Sequence, residues 1–163
     1  MKIIPLQSGR FTIIDDTDYD NVSRFKWTAH RLSGIWYAIS TAYLGTVNSQ
    51  PQLYTLLLHR LLMRPPQGME VDHIDHNGLN NLRSNLRVCT TAQNQWNQRP
   101  RHGTSQYKGV HWQKQAKKWK AQIIVNNKYH YLGIFKNEID AARAYNQATL
   151  EYRSGFPCYL NPV

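Results

Sequence analysis

Residues 71–97, VDHIDHNGLNNLRSNLRVCTTAQNQWN, gather side chains that can activate water and hold a hard cation. Asp72 and His73 are adjacent. An imidazole, with a reference pKa near 6.5, is suited to take a proton around neutral pH, which makes His73 a candidate general base. A carboxylate such as Asp72 and an Asn side-chain carbonyl are the oxygen donors that a magnesium-type ion prefers, and so few of them would leave room for water and substrate oxygens. Between residues 75 and 85 the chain carries Asn77, Gly78, Asn80, Asn81, Ser84 and Asn85, a composition no packed core would choose. Apolar residues still recur at Val71, Ile74, Leu79, Leu82, Leu86 and Val88, so the stretch is folded. Polar groups on a folded loop mark a candidate site.

The elements that must position these groups follow from local pattern. Residues 71–74 and 86–89 alternate apolar and polar in the manner of strands, with an eleven-residue loop, 75–85, between them. Thr90 or Thr91 can cap a helix carrying Gln93, Asn94 and Asn97. The order is therefore strand, loop, strand, helix. Neighbours on a strand point to opposite faces, so Asp72 and His73 can share one site only where the chain twists or bulges.

The rest of the chain bounds the setting. Its 163 residues suffice for one ordinary domain or two small ones. No run of about 18 apolar residues is present, and MKIIPLQSGR lacks the apolar stretch of a signal peptide, so the expectation is a soluble, cytoplasmic protein with no membrane partner. Cys89 and Cys158 stand far apart without a C-x-x-C partner, which speaks against a zinc site or a disulfide framework and for buried thiols. Net charge is +10, and residues 101–163 hold ten Lys/Arg against three Asp/Glu, or +7 of it. Basic residues interleaved with Trp and Tyr are the footprint of a nucleic-acid binder, the plainer alternative being a basic, soluble surface.

Residues 1–58 read as a β-rich region, with strands at 2–6 and 10–14 around a Ser8-Gly9 turn, another at 36–39, and a core supplied by Trp27, Trp36 and Tyr37. The run Asp15, Asp16, Asp18, Asp20 lacks the Gly and closing Glu of a calcium loop and is expected to be a solvated turn opening a short helix. A further strand is expected over 53–63, with His59 and Arg60 at its polar break; His59 could approach the site or the DNA backbone, or serve as a structural histidine.

His73, then Asn85 twelve positions on, then Asn94 nine further, set within DHIDxNxLNN, NLR and QNxxN, closely resemble the HNH nucleases of phages and mobile introns. The resemblance implies a β-hairpin and helix clamped around one divalent metal, magnesium or alternatively manganese. It implies Asp72 and Asn94 as metal ligands, His73 as the base, and Asn85 as the residue that holds the hairpin and His73 in place. It further implies hydrolysis of DNA to a 5′-phosphate and a homing or mobile-element role. Where many relatives read Asp-Gly-Asn, this chain reads Asp75-His76-Asn77; the extra imidazole could bind phosphate, join the metal site or stay solvated. Asn rather than His in the third motif position favours an oxygen site over a zinc-like one.

Residues 98–106, with Pro100 and Gly103, read as a linker. Beyond it come three strands, at 107–112, 119–125 and 129–135, the last two joined by an Asn126-Asn127 turn. A helix should start at Asn137, run through Ala141, Ala142, Ala144, Tyr145 and Ala148, and stop before Gly155 and Pro157. YKGVHW, KWKAQI, YLGIF and AARAYNQATLEYRSG are similar to the DNA-binding domain of plant APETALA/ethylene-response factors, which reads the major groove with its sheet. Alternation turns Trp119, Ala121 and Ile123 towards the helix and Lys120, Gln122 and Ile124 outward. By position in that family's pattern, Lys108, His111, Gln113, Tyr129 and Tyr131 join the outward DNA-contacting set. Several family arginines are replaced by His, Gln and Tyr, so base preference does not carry over.

The expected fold is therefore α+β: a β-rich region over 1–58, a ββα-metal nuclease core over 59–99, a linker over 100–106, and a three-stranded antiparallel sheet packed on one helix over 107–163. The expected function is a metal-dependent endonuclease acting on double-stranded DNA, with no small-molecule substrate. The alternatives are a sequence-specific DNA-binding protein with an inert HNH site, or an RNA-binding protein, which the set Asp72, His73 and Asn94 disfavours. No heptad seam or other assembly signal sets the oligomeric state.

Overall fold

The computed structural model describes residues 1–47, 50–100 and 103–163, so Arg101 and His102 of the expected linker lie outside the described residues. The chain forms two compact units, Met1–Asn94 and Gln95–Val163. Each mixes helices with small antiparallel sheets, an α+β protein throughout. No helix among the described residues is long and apolar enough to cross a membrane.

In the first unit, β1 (Lys2–Pro5) and β2 (Phe11–Ile14) form a hairpin in the register Lys2 to Ile14 and Pro5 to Phe11. A 3-10 turn at Asp16–Asp18 leads into α1 (Tyr19–Val22). Next come β3 (Thr28–Leu32), β4 (Ile35–Val47) and β5 (Gln50–Leu57), hydrogen-bonded in the order β3-β4-β5. The strand expected over 53–63 stops at Leu57, and Leu58–Met63 is a helix, α2. The correction has a physical basis: LLLHRLLM does not alternate, whereas Leu58 and Leu62, four apart, both enter the core as a helical face does. Arg64, with φ 44°, ends the helix in the left-handed region.

The central hairpin pairs β6 (Glu70–His73) with β7 (Leu86–Cys89), placing Asp72 opposite Arg87 and His73 opposite Leu86 without a register shift. Helix α3 (Thr91–Asn97) follows. Its start is a reciprocal cap: the Gln93 N–H donates to Thr90 Oγ1 (3.2 Å) and the Thr90 N–H to Gln93 Oε1 (2.9 Å).

One core serves this whole unit. Ile4, Leu6, Ile14, Val22, Trp27, Ala29 and Ala38 pack with Leu58, Leu62, Val71 and Leu86. The β-rich start of the chain and the central hairpin are thus folded together, each large aliphatic side chain contributing roughly 1.5–3 kcal/mol of burial. Backbone joins them as well. The Ile13 N–H donates to Leu79 O (3.1 Å) and the Asn81 N–H to Ile13 O (2.9 Å), so loop residues 79–81 run beside β2 as a short parallel partner. The acidic run opens the short helix α1 with Asp16 and Asp20 exposed, but it is not wholly solvated. Asp18 is buried and takes the Arg83 guanidinium through Nε (2.9 Å) and Nη2 (2.7 Å), while Asp15 accepts the Arg83 N–H (2.8 Å). Two carboxylates therefore hold the far end of the polar loop.

In the second unit, β8 (Val110–Gln113), β9 (Lys118–Val125) and β10 (Lys128–Phe135) form an antiparallel sheet in the order β10-β9-β8, covered by α4 (Glu138–Tyr152). Asn126 and Asn127 have φ of 49° and 60° and make the tight turn between β9 and β10. Asn137 caps α4 by accepting the Ile139 N–H at 2.9 Å. Ala121 and Ile123 are buried with the α4 residues Ala141, Ala142, Tyr145 and Ala148. The first strand begins at Val110 rather than 107, because the backbone of Lys108 pairs with the Asn161 side chain (2.7 and 3.1 Å) instead of a neighbouring strand. Gly109, at φ 76°, then passes so close to Tyr145 that a Cβ would sit about 2.0 Å from its ring.

Candidate functional site

The polar loop is held by Asp75 and Asn85. Asp75 Oδ1 accepts the Asn77 N–H (2.8 Å) and Asn85 Nδ2 (2.9 Å), and its Oδ2 accepts Asn80 Nδ2 (2.7 Å). Burial pushes the Asp75 carboxyl up, but these bonds from Asn77, Asn80 and Asn85 overcome it and leave the pKa below the ordinary value. Asn85 also accepts the Asp75 N–H (3.0 Å) and donates to Asn80 O (2.8 Å), spanning the loop from both sides.

His73, the last residue of β6, is buried. Its Nε2 lies 3.2 Å from Asn81 Oδ1, and its ring packs edge-on against His59 of α2 (centroids 5.0 Å apart) and Tyr37 of β4 (5.8 Å). The Tyr37 and His59 rings are themselves 5.5 Å apart, so three rings from three elements close on one another. Burial lowers the His73 pKa; the Asn81 bond and the Asp75 and Asp72 carboxylates oppose it without reversing it. The imidazole is therefore neutral at neutral pH, the form a base needs. His59 is driven further, down to about 3, by burial, then by His73 and Arg60. Its buried Nδ1 finds no hydrogen-bond partner among the described residues.

Asp72 leaves β6 on the other face. Its Oδ2 receives Arg87 Nε (2.9 Å) and Nη2 (2.6 Å), a largely buried ion pair between residues directly opposite in the hairpin. Glu70, two residues earlier and on the same face, binds α3: Asn94 Nδ2 donates to Oε2 (2.5 Å) and Thr91 Oγ1 to Oε1 (2.9 Å). Because the Asn94 nitrogen is committed to Glu70, the amide's other atom, the carbonyl oxygen, is the one left to act as a ligand. The regular pairing through His73 contains no bulge, so the shared placement of Asp72 and His73 left open above is not achieved by redirecting the strand.

This donor set fits a hard cation. Asp72, Glu70 and Asn94 offer oxygen donors of the kind such an ion takes, while no group of three or more His, Cys, Asp or Glu side chains that could hold a metal occurs among the described residues. Cys89, buried on β7, is pushed up to about 11 by burial and then by Asp72, and is an inert thiol. His76 sits in the loop at φ 65° and donates its N–H to His73 O (3.0 Å).

In the second unit, cross-strand pairs put six of the expected DNA-contacting residues on one face of the sheet. His111 pairs with Lys120, Gln113 with Lys118, Tyr131 with Gln122 and Tyr129 with Ile124, on the side opposite buried Ala121 and Ile123. Tyr129 and Tyr131 are the most exposed aromatic residues there, at 71% and 62%. Lys108 is the exception. Its Nζ donates to Gln95 O (2.7 Å), Trp96 O (2.9 Å) and Gln98 O (2.7 Å), and burial lowers its pKa to about 8. It fastens the carbonyls at the end of α3 and does not reach the sheet face.

Sequence reasoning missed Arg87, Glu70 and Asn81. Arg87 and Glu70 were legible in principle, since pairing His73 with Leu86 puts Arg87 across from Asp72, and alternation puts Glu70 beside it. No local pattern marks Asn81.

The HNH endonuclease family matches residues 64–96, the span that contains β6, the loop, β7 and most of α3. An uncharacterized HNH endonuclease of Acanthamoeba polyphaga mimivirus is 34% identical over 138 residues, covering 85% of this chain and 68% of its own length. The chain belongs to the HNH endonuclease family, and at that level it is a nuclease. Protein 3.8 of Escherichia phage T7 is 38% identical over 66 residues, 40% of this chain and 54% of that protein. An ethylene-responsive transcription factor of Arabidopsis thaliana is 42% identical over 53 residues, 31% of this chain and 12% of its own.

Proposed function

We propose that this protein is a divalent-metal-dependent endonuclease of double-stranded DNA whose base is His73, and whose second unit brings the DNA. The observation that carries the reading is the placement of His73: a buried imidazole ending the same strand that presents Asp72, with Asn94 of α3 hydrogen-bonded to Glu70 of that strand. His73 removes a proton from a water, which attacks phosphorus as the 3′ oxygen departs, leaving a 5′-phosphate. Asp72 and the Asn94 carbonyl would hold the metal, magnesium or alternatively manganese, which when bound shields phosphate charge and eases departure of the leaving oxygen. Asn85 keeps the loop in shape through its bonds to Asp75 and Asn80. The ββα-metal arrangement is supported by the order hairpin then helix, and a homing or mobile-element role by the resemblance to phage and intron nucleases.

In the second unit the sheet face carrying His111, Gln113, Lys120, Gln122, Tyr129 and Tyr131 would meet DNA, with the lysines on phosphates. The partial similarity to an ethylene-responsive transcription factor supports this. Tethering such a reader to the nuclease raises the local concentration of its site.

The test is nicking of supercoiled plasmid with magnesium. Wild-type protein should relax or linearise a plasmid that carries its target, EDTA should abolish this, and His73→Ala should slow it by about 10²–10⁴. Normal cutting by His73→Ala removes His73 as base. A second reading, a DNA-binding protein with an inert site, is favoured by the Arg87–Asp72 ion pair, against which a cation must compete for the carboxylate. Gel-shifted but never nicked target DNA would establish it.

A further inference from the structure

Resting on the assignment of His73 as base, we infer that Asn81 and Thr12 are positioning residues for the reaction: a one-way chain of hydrogen bonds from the N-terminal hairpin fixes which imidazole nitrogen of His73 carries its proton. The chain starts at a carbonyl. Leu79 O can only accept, so Thr12 Oγ1, 2.7 Å away, spends its single proton on it. The Thr12 oxygen must then act as acceptor towards Asn81, 2.8 Å away, which turns the Asn81 amide nitrogen to Thr12. The second amide proton goes to Gly78 O, also an acceptor only, at 3.3 Å. Both contacts place the amide nitrogen on that side, so the Asn81 carbonyl oxygen faces His73 at 3.2 Å. An amide oxygen cannot donate. Hence His73 Nε2 holds the proton, and the neutral ring keeps its lone pair on Nδ1.

The surroundings of Thr12 and Asn81 hold this ordering in place. Thr12 and Asn81 are completely buried, so water cannot stand in for a missing partner, and flipping the amide would set its oxygen against the Gly78 carbonyl. The donors also come from backbone that is fixed independently. The Ile13 N–H donates to the same Leu79 carbonyl, and the Asn81 N–H returns to Ile13 O. Strand β2, 61 residues before His73, thereby sets the proton position of the base. A tautomer set this way needs no rearrangement when substrate arrives, which is the advantage of a supported base over a freely turning one.

The experiment reads the tautomer directly, on the full chain with 15N-labelled histidine at pH 8 and without metal. His73 signals are assigned by their loss in His73→Ala, and long-range proton–nitrogen spectra separate the protonated from the unprotonated ring nitrogen. Wild type should show a protonated Nε2 and an unprotonated Nδ1. Asn81→Leu should lose that preference and lower kcat for plasmid nicking at least about tenfold with KM unchanged. Thr12→Val should shift both readouts in the same direction, and Thr12→Ser, which keeps the hydroxyl, should restore the wild-type signature. A wild-type His73 protonated on Nδ1 overturns the inference even if neither the Asn81 nor the Thr12 variants fold. So does an Asn81→Leu protein that keeps the wild-type signature. If the signature changes in Asn81→Leu while kcat stays put, the proton is set as described but His73 is not the base, and the role of Asn81 and Thr12 in the reaction falls with that assignment.

Discussion

His59 shows how burial, helped by neighbouring cations, shapes a titration. The unfolded chain binds a proton at His59 near 6.5, whereas the folded one does so only near 3, because burial and then the neighbouring His73 and Arg60 disfavour the cation. Between those values the unfolded state binds more protons, so stability falls as pH falls, by roughly 1.4 kcal/mol per pH unit once well below 6.5. Urea titrations from pH 7.5 to 4.5 should show that decline, and His59→Phe should flatten it; an equal slope in the variant would mean that His59 is charged in the folded protein. His73, also lowered by burial, adds to the decline in the same sense. At this scale the sequence was informative about chemistry and weak about partners. His73 stood out as a candidate base from its residue type, and Asp72, Asn85 and Asn94 were assigned roles by their positions in the HNH pattern. Arg87 and Glu70 become legible only once the hairpin register is known, and Asn81 is marked by no local pattern because its partners lie far along the chain.

At the scale of elements, strands β6 and β7 and helix α4 follow local rules, alternation in the first two and an Asn cap with an alanine face in the last, and were legible. Helix α2 was not, since a continuous apolar run fits a strand or a helix until its buried face is known. The loop against β4 is equally a product of tertiary fit. A Cβ on Gly78 would lie 2.4 Å from the Trp36 carbonyl oxygen and 2.7 Å from the Tyr37 ring, and a backbone carbonyl cannot move aside as a side chain can. Gly78→Ala should therefore destabilise the fold by about 1–3 kcal/mol in thermal or urea unfolding. It should also slow nicking, since residues 77–81 carry Asn81 to His73. A variant as stable and active as wild type would show that the loop does not sit on β4 as described.

Across the whole molecule, basic side chains fall into two groups. Lys108 and Arg153 are internal fasteners, Lys108 on three carbonyls and Arg153 on Ile124 O (3.2 Å) and the Tyr145 hydroxyl (3.3 Å). Lys118 and Lys120 lie on the outward sheet face. Lys120→Gln should weaken DNA binding and reduce the slope of log K against log salt by about 1, while leaving urea stability unchanged. Lys108→Met should do the reverse, costing about 1–3 kcal/mol with the salt slope intact. Gel shifts at several salt concentrations, paired with urea titrations, separate the two. Charge counting along the sequence could not divide these residues, because a lysine that caps carbonyls and one that faces outward from a sheet look alike in one dimension.

The hydrogen bonds between Ile13 and residues 79–81, together with the grip of Asp15 and Asp18 on Arg83, bear on how such a nuclease can be inherited or engineered. The span that carries the family's signature, residues 64–96, is not a portable cassette. Grafted alone onto a new DNA reader, it would arrive without the strand that borders its loop and without the carboxylates that anchor it. The transferable unit of this protein begins at its first hairpin, and shuffling that respects only the motif would pass on the letters of an active site without the scaffold that makes them one.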